Sequence, residues 1–569
     1  MLEFVSHYLY QVNIIIHHRF FTKLNNARLA VIAITLIGLT LGYAITVLTR
    51  LPWWALFLFA VAWVGIGIKL RWGRPLNARY RKVWPWSLAP LSLWGVYIYL
   101  ADSFGNVDLG AVFFHLQAGM AEHGGAGKMI TAVVYTLSML AVLASVTWLS
   151  RHDQRWRLIE RFLAIGLLAS NPLLFGLGQR SAAVVADNAD WLDQRYVAPP
   201  TSDQEAAPNL LVLYLESIER TYDATQFGDA YDDLNRLGER GVVFEGIQQM
   251  ENTGWTMAGM IASQCGVPLM PAGLLHDSQF EPLKSVVPGI DCLGDILAAQ
   301  GYRLSYLGGA STEFAGKGLF YRGHQFQSVQ GKEELVQRLD DPDYVNSWGI
   351  YDDSLYDMTV DEIRRLDEAD DGPWGVVTLS ISGHAPNGFP AQRCRERQGP
   401  FDEQDILYSV KCSAWLARDL IDRLDNEGLL DDTVVAIMSD HLTMRVSVWD
   451  ELTTMDRENT FILLGDDLPP QRIQRDATML DAFPTILEAL DFTLDRHRAG
   501  LGVSLLSDQE TLVERHGLDT LNEHLREETA LQHRLWEGLA PQRQEPSPSS
   551  QEQVIETPAD RTDEVDIMR

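Results

Sequence analysis

Positive charge is scarce in this chain: 46 lysines and arginines stand against 76 aspartates and glutamates, a net charge of −30. The deficit lies in one part. Residues 1–180 hold 16 basic and 6 acidic residues, a balance of +10, so the remainder carries −40. So acidic a surface repels nucleic acid phosphates, and it has no basic patch with interleaved aromatics, which excludes a nucleic-acid partner. Cysteine is sparse too. The four cysteines, Cys265, Cys292, Cys394 and Cys412, all fall in the acidic part, and no CxxC pair or Cys/His spacing marks a structural zinc site. Cysteines confined to one part fit a compartment in which disulfides persist. Three pairings exist, and Cys265 with Cys292 and Cys394 with Cys412 are favoured because each closes a short local loop.

Charge of either sign nearly vanishes from Leu29 to Leu48, Leu51 to Ile68, Trp84 to Ala101, Met129 to Leu149 and Phe162 to Gly178. Each run approaches the ~20 apolar residues that cross a bilayer, so residues 1–180 read as a five-span membrane domain. A single cleaved signal segment cannot account for five runs. Basic residues gather before the first run (Arg19, Lys23, Arg28), between the second and third (Lys69 to Lys82) and between the fourth and fifth (Arg151 to Arg161). Those segments belong on the cytoplasmic side. The loop from Asp102 to Gly127 has no lysine or arginine and faces outward, so an odd number of spans delivers the rest of the chain outside. Within that loop, Leu109, Val112, Phe113, Leu116 and Met120 recur at helical spacing. That suggests a helix near 107–122, lying in the interface or packed on the outer domain.

A polar linker over 181–208 precedes "NLLVLYLES", a continuous apolar run of the kind found in buried parallel strands. "YRLSYLGG", "WGVVTLSIS", "DDTVVAIMSD" and "NTFILLG" follow, separated by helical patterns such as "CLGDILAAQG" and "SAWLARDLIDRLDNEGLL". The alternation predicts a mostly parallel α/β sheet with its site at the carboxyl ends of the strands. Three strands end in candidate groups: Glu216, then His384, then Asp440 with His441. Singly, each has a bland reading as a helix cap or a polar loop residue; their recurrence at one edge favours a site. Two carboxylates, an imidazole and a hydroxyl suit a divalent cation such as Mn²⁺ or Mg²⁺.

The hydroxyl comes from "ENTGWTMAGMIASQCGVPL", which follows a strand-like run. "MAGMIASQ" reads as a helix, placing Thr256 near its N-terminus, where anions are favoured. Small Ala258 and Gly259 allow that helix to pack closely. Thr256 is then a nucleophile candidate, with Thr253 as its rival; the bland alternative makes Thr256 the helix N-cap.

The stretches "LYLESIERTYD", "TMAGMIASQCGVPL", "DCLGDILAAQGY", "EFAGKGLFYRGHQF", "DYVNSWGIYDDSLYD", "SGHAPNGF" and "SDHLTMR" resemble the membrane-anchored phosphoglycerol transferases of the alkaline phosphatase and sulfatase superfamily. The resemblance is closest to the branch that decorates osmoregulated periplasmic glucans; lipoteichoic acid synthases are more distant. It implies an extracytoplasmic α/β domain of the alkaline phosphatase/sulfatase type over 209–507. It also implies a metal site of Glu216, Thr256, Asp440 and His441 holding Mn²⁺, with Mg²⁺ or Zn²⁺ as alternatives, and Thr256 as nucleophile. His384 would be catalytic and close to the phosphoryl group, and Lys317 would contact the substrate where lipoteichoic acid synthases carry an arginine. The tryptophan those synthases place two residues earlier is Ala315 here. The implied donor is phosphatidylglycerol and the implied acceptor a periplasmic glucan, with the chain in the bacterial inner membrane and its catalytic domain in the periplasm. The alternatives are a phosphoethanolamine transferase acting on lipid A or another glycan, and a phosphodiesterase with water as acceptor. A helical segment over 508–539 and a disordered acidic tail over 540–569 complete the expected organisation.

Overall fold

The structure, a computed structural model, describes Tyr97 and residues 190–200, 208–271, 283–369, 372–400 and 405–537. Apart from Tyr97, the five expected spans lie outside these residues, as do the helix expected near 107–122 and the tail at 540–569. Among the described residues no helix is long and apolar enough to cross a membrane.

Eight strands build one sheet: β1 (Asn209–Leu215), β2 (Val242–Gln248), β3 (Arg303–Gly308), β4 (Ser328–Gln330), β5 (Trp374–Leu379), β6 (Thr433–Ser439), β7 (Phe461–Leu464) and β8 (Gln471–Thr478). Their order is β4-β3-β5-β1-β6-β7-β2-β8. All neighbours are parallel except the two pairs made by β7. The expected mostly parallel sheet is therefore the observed one. β1 lies between β5 and β6, so the chain just beyond each of these three strands arrives at one edge.

Among the described residues, the helices packed on the sheet include α1 (Asp232–Gly238), α2 (Thr256–Cys265), α3 (Leu293–Ala299), α4 (Lys317–Gly323), α5 (Asp352–Glu368), α6 (Ile406–Asn426) and α7 (Ala482–Ala489). Side chains alternate between the faces of a strand, and β1 uses both. Leu210, Val212 and Tyr214 enter a core with Met260 and Ile261 of α2, Leu297 of α3 and Phe483 of α7. Leu211, Leu213 and Leu215 enter the opposite core with Leu237 of α1, Ile363 of α5 and Leu420 of α6. Covering both faces explains why β1, β5 and β6 read as unbroken apolar runs. β8 is an edge strand, "QRIQRDAT", with four of its eight residues exposed and two buried; lacking an apolar run, it gave no sequence signal.

Antiparallel β7 brings its starting end to the same edge. There Ser439 N donates to Thr460 O at 3.1 Å and Ser439 Oγ donates to Asn459 Oδ1 at 3.0 Å. The favoured disulfides both form: Cys265–Cys292 joins the end of α2 to the residue preceding α3, and Cys394–Cys412 joins helix Gln392–Gln398 to α6. Past residue 507 the chain forms the short helices Leu512–His516, Leu518–Glu527 and Ala530–Leu535. Residues 190–200, expected within a linker, are packed against them. Leu192 is fully buried and its N–H donates to Glu528 Oε2 at 2.7 Å, while Arg534 Nε pairs with Asp193 at 2.6 Å.

Candidate functional site

The turn after β1 bends sharply at Ser217, whose φ of 59° is in the left-handed region that side chains disfavour. Three contacts hold it there. Ser217 N donates to Asp440 Oδ1 at 2.9 Å, its Oγ donates to Glu216 Oε1 at 3.0 Å, and its carbonyl accepts from Thr443 Oγ1 at 2.5 Å. The strained turn thereby faces Glu216 toward Asp440 and His441, the pair following β6. His441 Nε2 lies 3.5 Å from Glu216 Oε1 and 3.3 Å from Asp440 Oδ2. Thr256 Oγ1 donates to Glu216 Oε2 at 3.3 Å. Four of the residues singled out from the sequence therefore converge, all buried.

Thr256 is the first residue of α2, and Trp255 in extended backbone is the N-cap. This corrects the N-cap reading of Thr256: its hydroxyl reaches across to β1 rather than back to its own helix. Rival Thr253 is engaged elsewhere, donating to Met250 O at 2.7 Å. The closeness of α2 to the Asp440 turn rests on Gly259, where a Cβ would lie 1.6 Å from Asp440 O.

Ligand atoms of Glu216, Asp440 and His441 all lie within 4.8 Å of one another. His441 Nδ1 donates to Leu442 O at 2.7 Å, which directs Nε2 into the cluster, the arrangement of a metal-binding imidazole oriented by its other nitrogen. Asp440 Oδ2 and His441 Nε2 are buried with no hydrogen-bond partner. Orphaned buried acceptors are costly, and a divalent cation between them would satisfy both; the residues fit such an ion.

The charges of the cluster are interdependent. Burial works against ionisation of Glu216, but the His441 contact and the charges of His384 and His441 outweigh it and hold the carboxyl well below its ordinary range. Burial, with the Glu216 charge adding, pushes Asp440 up to about 7. Burial disfavours the His441 imidazolium, yet Asp440 and then Glu216 more than offset this and raise it to about 9. Two adjacent carboxylates thus draw positive charge into the cavity, which a cation supplies in place of a proton.

A second group, Cys292, Asp295 and His324, also clusters, but Cys292 is in a disulfide. His324 is satisfied on both nitrogens, by Asp295 at 2.5 Å and Val286 O at 3.0 Å. It is a structural contact.

Lys317 begins α4 and is 2% exposed. The turn before it carries Ala315 and Gly316 at φ values of 58° and 73°. Burial pushes the ammonium down to about 8, opposed by the charges of Glu216, Asp440 and Glu333. His384, half-buried after β5, donates Nδ1–H to Ala385 O at 2.8 Å and lies against Trp348 with ring centroids 3.9 Å apart and planes tilted by 32°.

Sequence reasoning missed the support beneath the site. Glu219, fully buried, is clasped by Arg457 (Nε to Oε1, 3.0 Å) and accepts from Thr443 N at 2.7 Å. Arg457 also donates to Thr443 O at 2.7 Å. Glu219 stands in the quoted "LYLESIERTYD", but its partner is 238 residues away. Arg457→Met is expected to cost about 3 kcal/mol by leaving a buried carboxylate unpaired. Urea denaturation checks this, and a loss under about 1 kcal/mol would deny the pair its structural role.

The sulfatase family model matches residues 208–492, just over half of the chain. The chain belongs to the sulfatase family. Within that family setting it is similar to proteins named phosphoglycerol transferase I from Shigella boydii serotype 18 and Escherichia coli O127:H6, each 30% identical over 448 residues. Those alignments cover 75% of this chain and 58% of the relative, so the chain spans less than two thirds of the relatives it matches. Among solved structures it is similar to the lipoteichoic acid synthase LtaP from Listeria monocytogenes, with TM-score 0.44 and 17% identity over 56% of this chain and 81% of that one. A protein of the alkaline phosphatase superfamily from Vibrio parahaemolyticus gives TM-score 0.43 and 22% identity, over 57% of this chain and 79% of that one.

Proposed function

We propose that this chain is a membrane-anchored phosphoglycerol transferase that moves a glycerophosphoryl group from phosphatidylglycerol to a hydroxyl of a periplasmic glucan. The observation that carries the reading is the placement of Thr256 Oγ1 at the start of α2, against Glu216 and beside Asp440 and His441. The names of the relatives support the group transferred. Five uncharged runs with alternating basic loops support an inner-membrane anchor with the catalytic domain in the periplasm. Anchorage keeps the site near lipid head groups.

Glu216, Asp440, His441 and the Thr256 hydroxyl would hold one divalent cation, Mn²⁺ by the mix of hard oxygens and one imidazole. When bound, the cation supplies Lewis acidity and favours the alkoxide of a coordinated alcohol. Thr256 Oγ, its proton lost to solvent, attacks phosphorus. A Thr–O–P bond forms as the bond from phosphorus to the diacylglycerol oxygen breaks, and the electron pair leaves with that oxygen. His384 gives it a proton from Nε2, since Nδ1–H is held by Ala385 O. In the second half, the glucan hydroxyl attacks phosphorus and returns a proton to His384, releasing Thr256. The first-turn amides of α2, which helix geometry leaves without an intrahelical acceptor, would favour anionic oxygens there, and the Lys317 ammonium contributes charge.

Lys317 makes a pH prediction with a definite sign. Its ammonium loses charge as pH rises through about 8, so the KM for anionic phosphatidylglycerol is expected to rise above that pH. In Lys317→Met the KM should be about tenfold higher at neutral pH, the order expected for losing a charged hydrogen-bond donor, and flat above pH 8. A wild-type KM that does not change between pH 7 and 9 would remove Lys317 from head-group binding.

The test of the reaction is head-group release. Full-length protein in detergent receives phosphatidylglycerol labelled in its glycerol head group, with Mn²⁺ or chelator, with and without periplasmic glucan. Metal-dependent diacylglycerol release with label on the glucan is expected. Label found only as free glycerol phosphate would indicate a hydrolase, and release from phosphatidylethanolamine alone would overturn the phosphoglycerol assignment.

A further inference from the structure

The segment 346–352, "NSWGIYD", joins the two loops that carry Lys317 and His384. Asn346 Oδ1 accepts from Trp348 N at 2.8 Å and Gly349 N at 3.1 Å, turning the chain back on itself. Ile350 N then donates to Gly309 O at 3.0 Å, and Gly349 bridges to Ala310. A Cβ on Gly349 would lie 1.8 Å from Gly309 O, so only glycine allows this approach. The segment is thereby fastened to the turn that leads into Lys317.

It grips the other loop in two ways. Asp352, fully buried as the first residue of α5, accepts from Ile381 N at 2.8 Å and Ser382 N at 3.1 Å, three and two residues before His384. The N-terminus of a 17-residue helix favours a carboxylate there. Trp348 packs against the His384 ring with centroids 3.9 Å apart and planes tilted by 32°, and meets Phe314 edge-on at 5.3 Å, and Lys317 Nζ lies 5.0 Å from the Phe314 ring. The brace thus reaches the loop backbone through a carboxylate and the imidazole plane through an indole. Neither residue is in the Glu216, Asp440 and His441 cluster.

We propose that Asp352 and Trp348 are positioning residues that set the location and ring plane of His384 for proton transfer to the leaving oxygen. The proposal rests on the transferase reading above. Displacing an acid by about 1 Å can cost about a hundredfold in rate, whereas a residue that only supports the core affects all substrates alike.

The experiment compares two donors with the full-length Mn²⁺-loaded protein. One is phosphatidylglycerol, whose alkoxide leaving group needs a proton. The other is a glycerophosphodiester bearing 4-nitrophenolate, which departs without one. Asp352→Asn keeps the shape but turns an N–H₂ toward a backbone N–H. It is expected to lower the first-turnover rate of leaving-group release, read without acceptor, by about 30-fold on phosphatidylglycerol, within the range of acid catalysis, and by less than about threefold on the nitrophenyl donor. Trp348→Leu should show the same asymmetry. Mn²⁺ affinity, read by electron paramagnetic resonance, should stay at the wild-type value in both. Equal losses on the two donors, or no loss on the lipid, would overturn the proposal. His384→Ala separates the two levels. If it lacks the leaving-group dependence, the acid role itself fails; if it shows the dependence while Asp352→Asn and Trp348→Leu do not, the brace alone fails. Should Asp352→Asn lack a cooperative melt, Trp348→Leu decides.

Discussion

Thr256→Ala is expected to lower diacylglycerol release by about 10⁴-fold or more, the scale of loss when the nucleophile of a covalent mechanism is deleted. The fold should survive. The Thr256 hydroxyl makes one long hydrogen bond, 3.3 Å to Glu216, and alanine is a good helix former at the start of α2, so the melting temperature should move by only a few degrees. Intact-mass spectrometry of wild-type protein given donor without acceptor should show an added glycerophosphoryl group, absent from the variant. Thr253→Ala is the companion measurement, because Thr253 Oγ1 is tied to Met250 O. It should lose about 1 kcal/mol of stability with its hydrogen bond and retain the adduct. Adduct formation that persists in Thr256→Ala and disappears in Thr253→Ala would reverse the assignment of the nucleophile.

Gly259→Ala, one methyl group three residues into the same helix, is expected to destabilise the protein by about 3 kcal/mol and to abolish Mn²⁺ binding. The new Cβ would lie 1.6 Å from Asp440 O and 2.7 Å from Asp440 C. Those are backbone atoms of a fully buried residue, so no flexible side chain can swing away. Either α2 retreats from the sheet or the Asp440 turn moves, and overpacking of this kind costs energy in both cases. The metal site suffers with it, because Asp440 Oδ1 holds both Ser217 N and its neighbour His441 N. Denaturant titration and Mn²⁺ titration check the two halves separately. Wild-type stability together with wild-type Mn²⁺ affinity would show that α2 can shift without consequence, and that its closeness to Asp440 is not what builds the site.

How far the sequence could be read follows from the range of each interaction. β1, β5 and β6 are buried on both faces and announce themselves as apolar runs ending in Glu216, in the loop of His384, and in Asp440 with His441. β8 is an exposed edge strand, and β4, "SVQ", is only three residues long; neither contains enough apolar residues to be seen. Trp191 and Leu192 were hidden in a polar stretch because two residues make no periodicity, although Leu192 is fully buried.

The sequence by itself determined which candidate groups end the strands and their order along the chain, since strand-end residues of buried parallel strands must gather at one sheet edge. It also contained the favoured disulfides, because short loops make those pairings local. Only the tertiary structure decided the rest: that Thr256 rather than Thr253 faces Glu216, that α2 stands one glycine away from Asp440, and that Asp352, Trp348 and the Glu219–Arg457 pair hold the loops. These contacts join residues as many as 238 positions apart, and distances of that kind are set by how the layers pack, which no local pattern encodes.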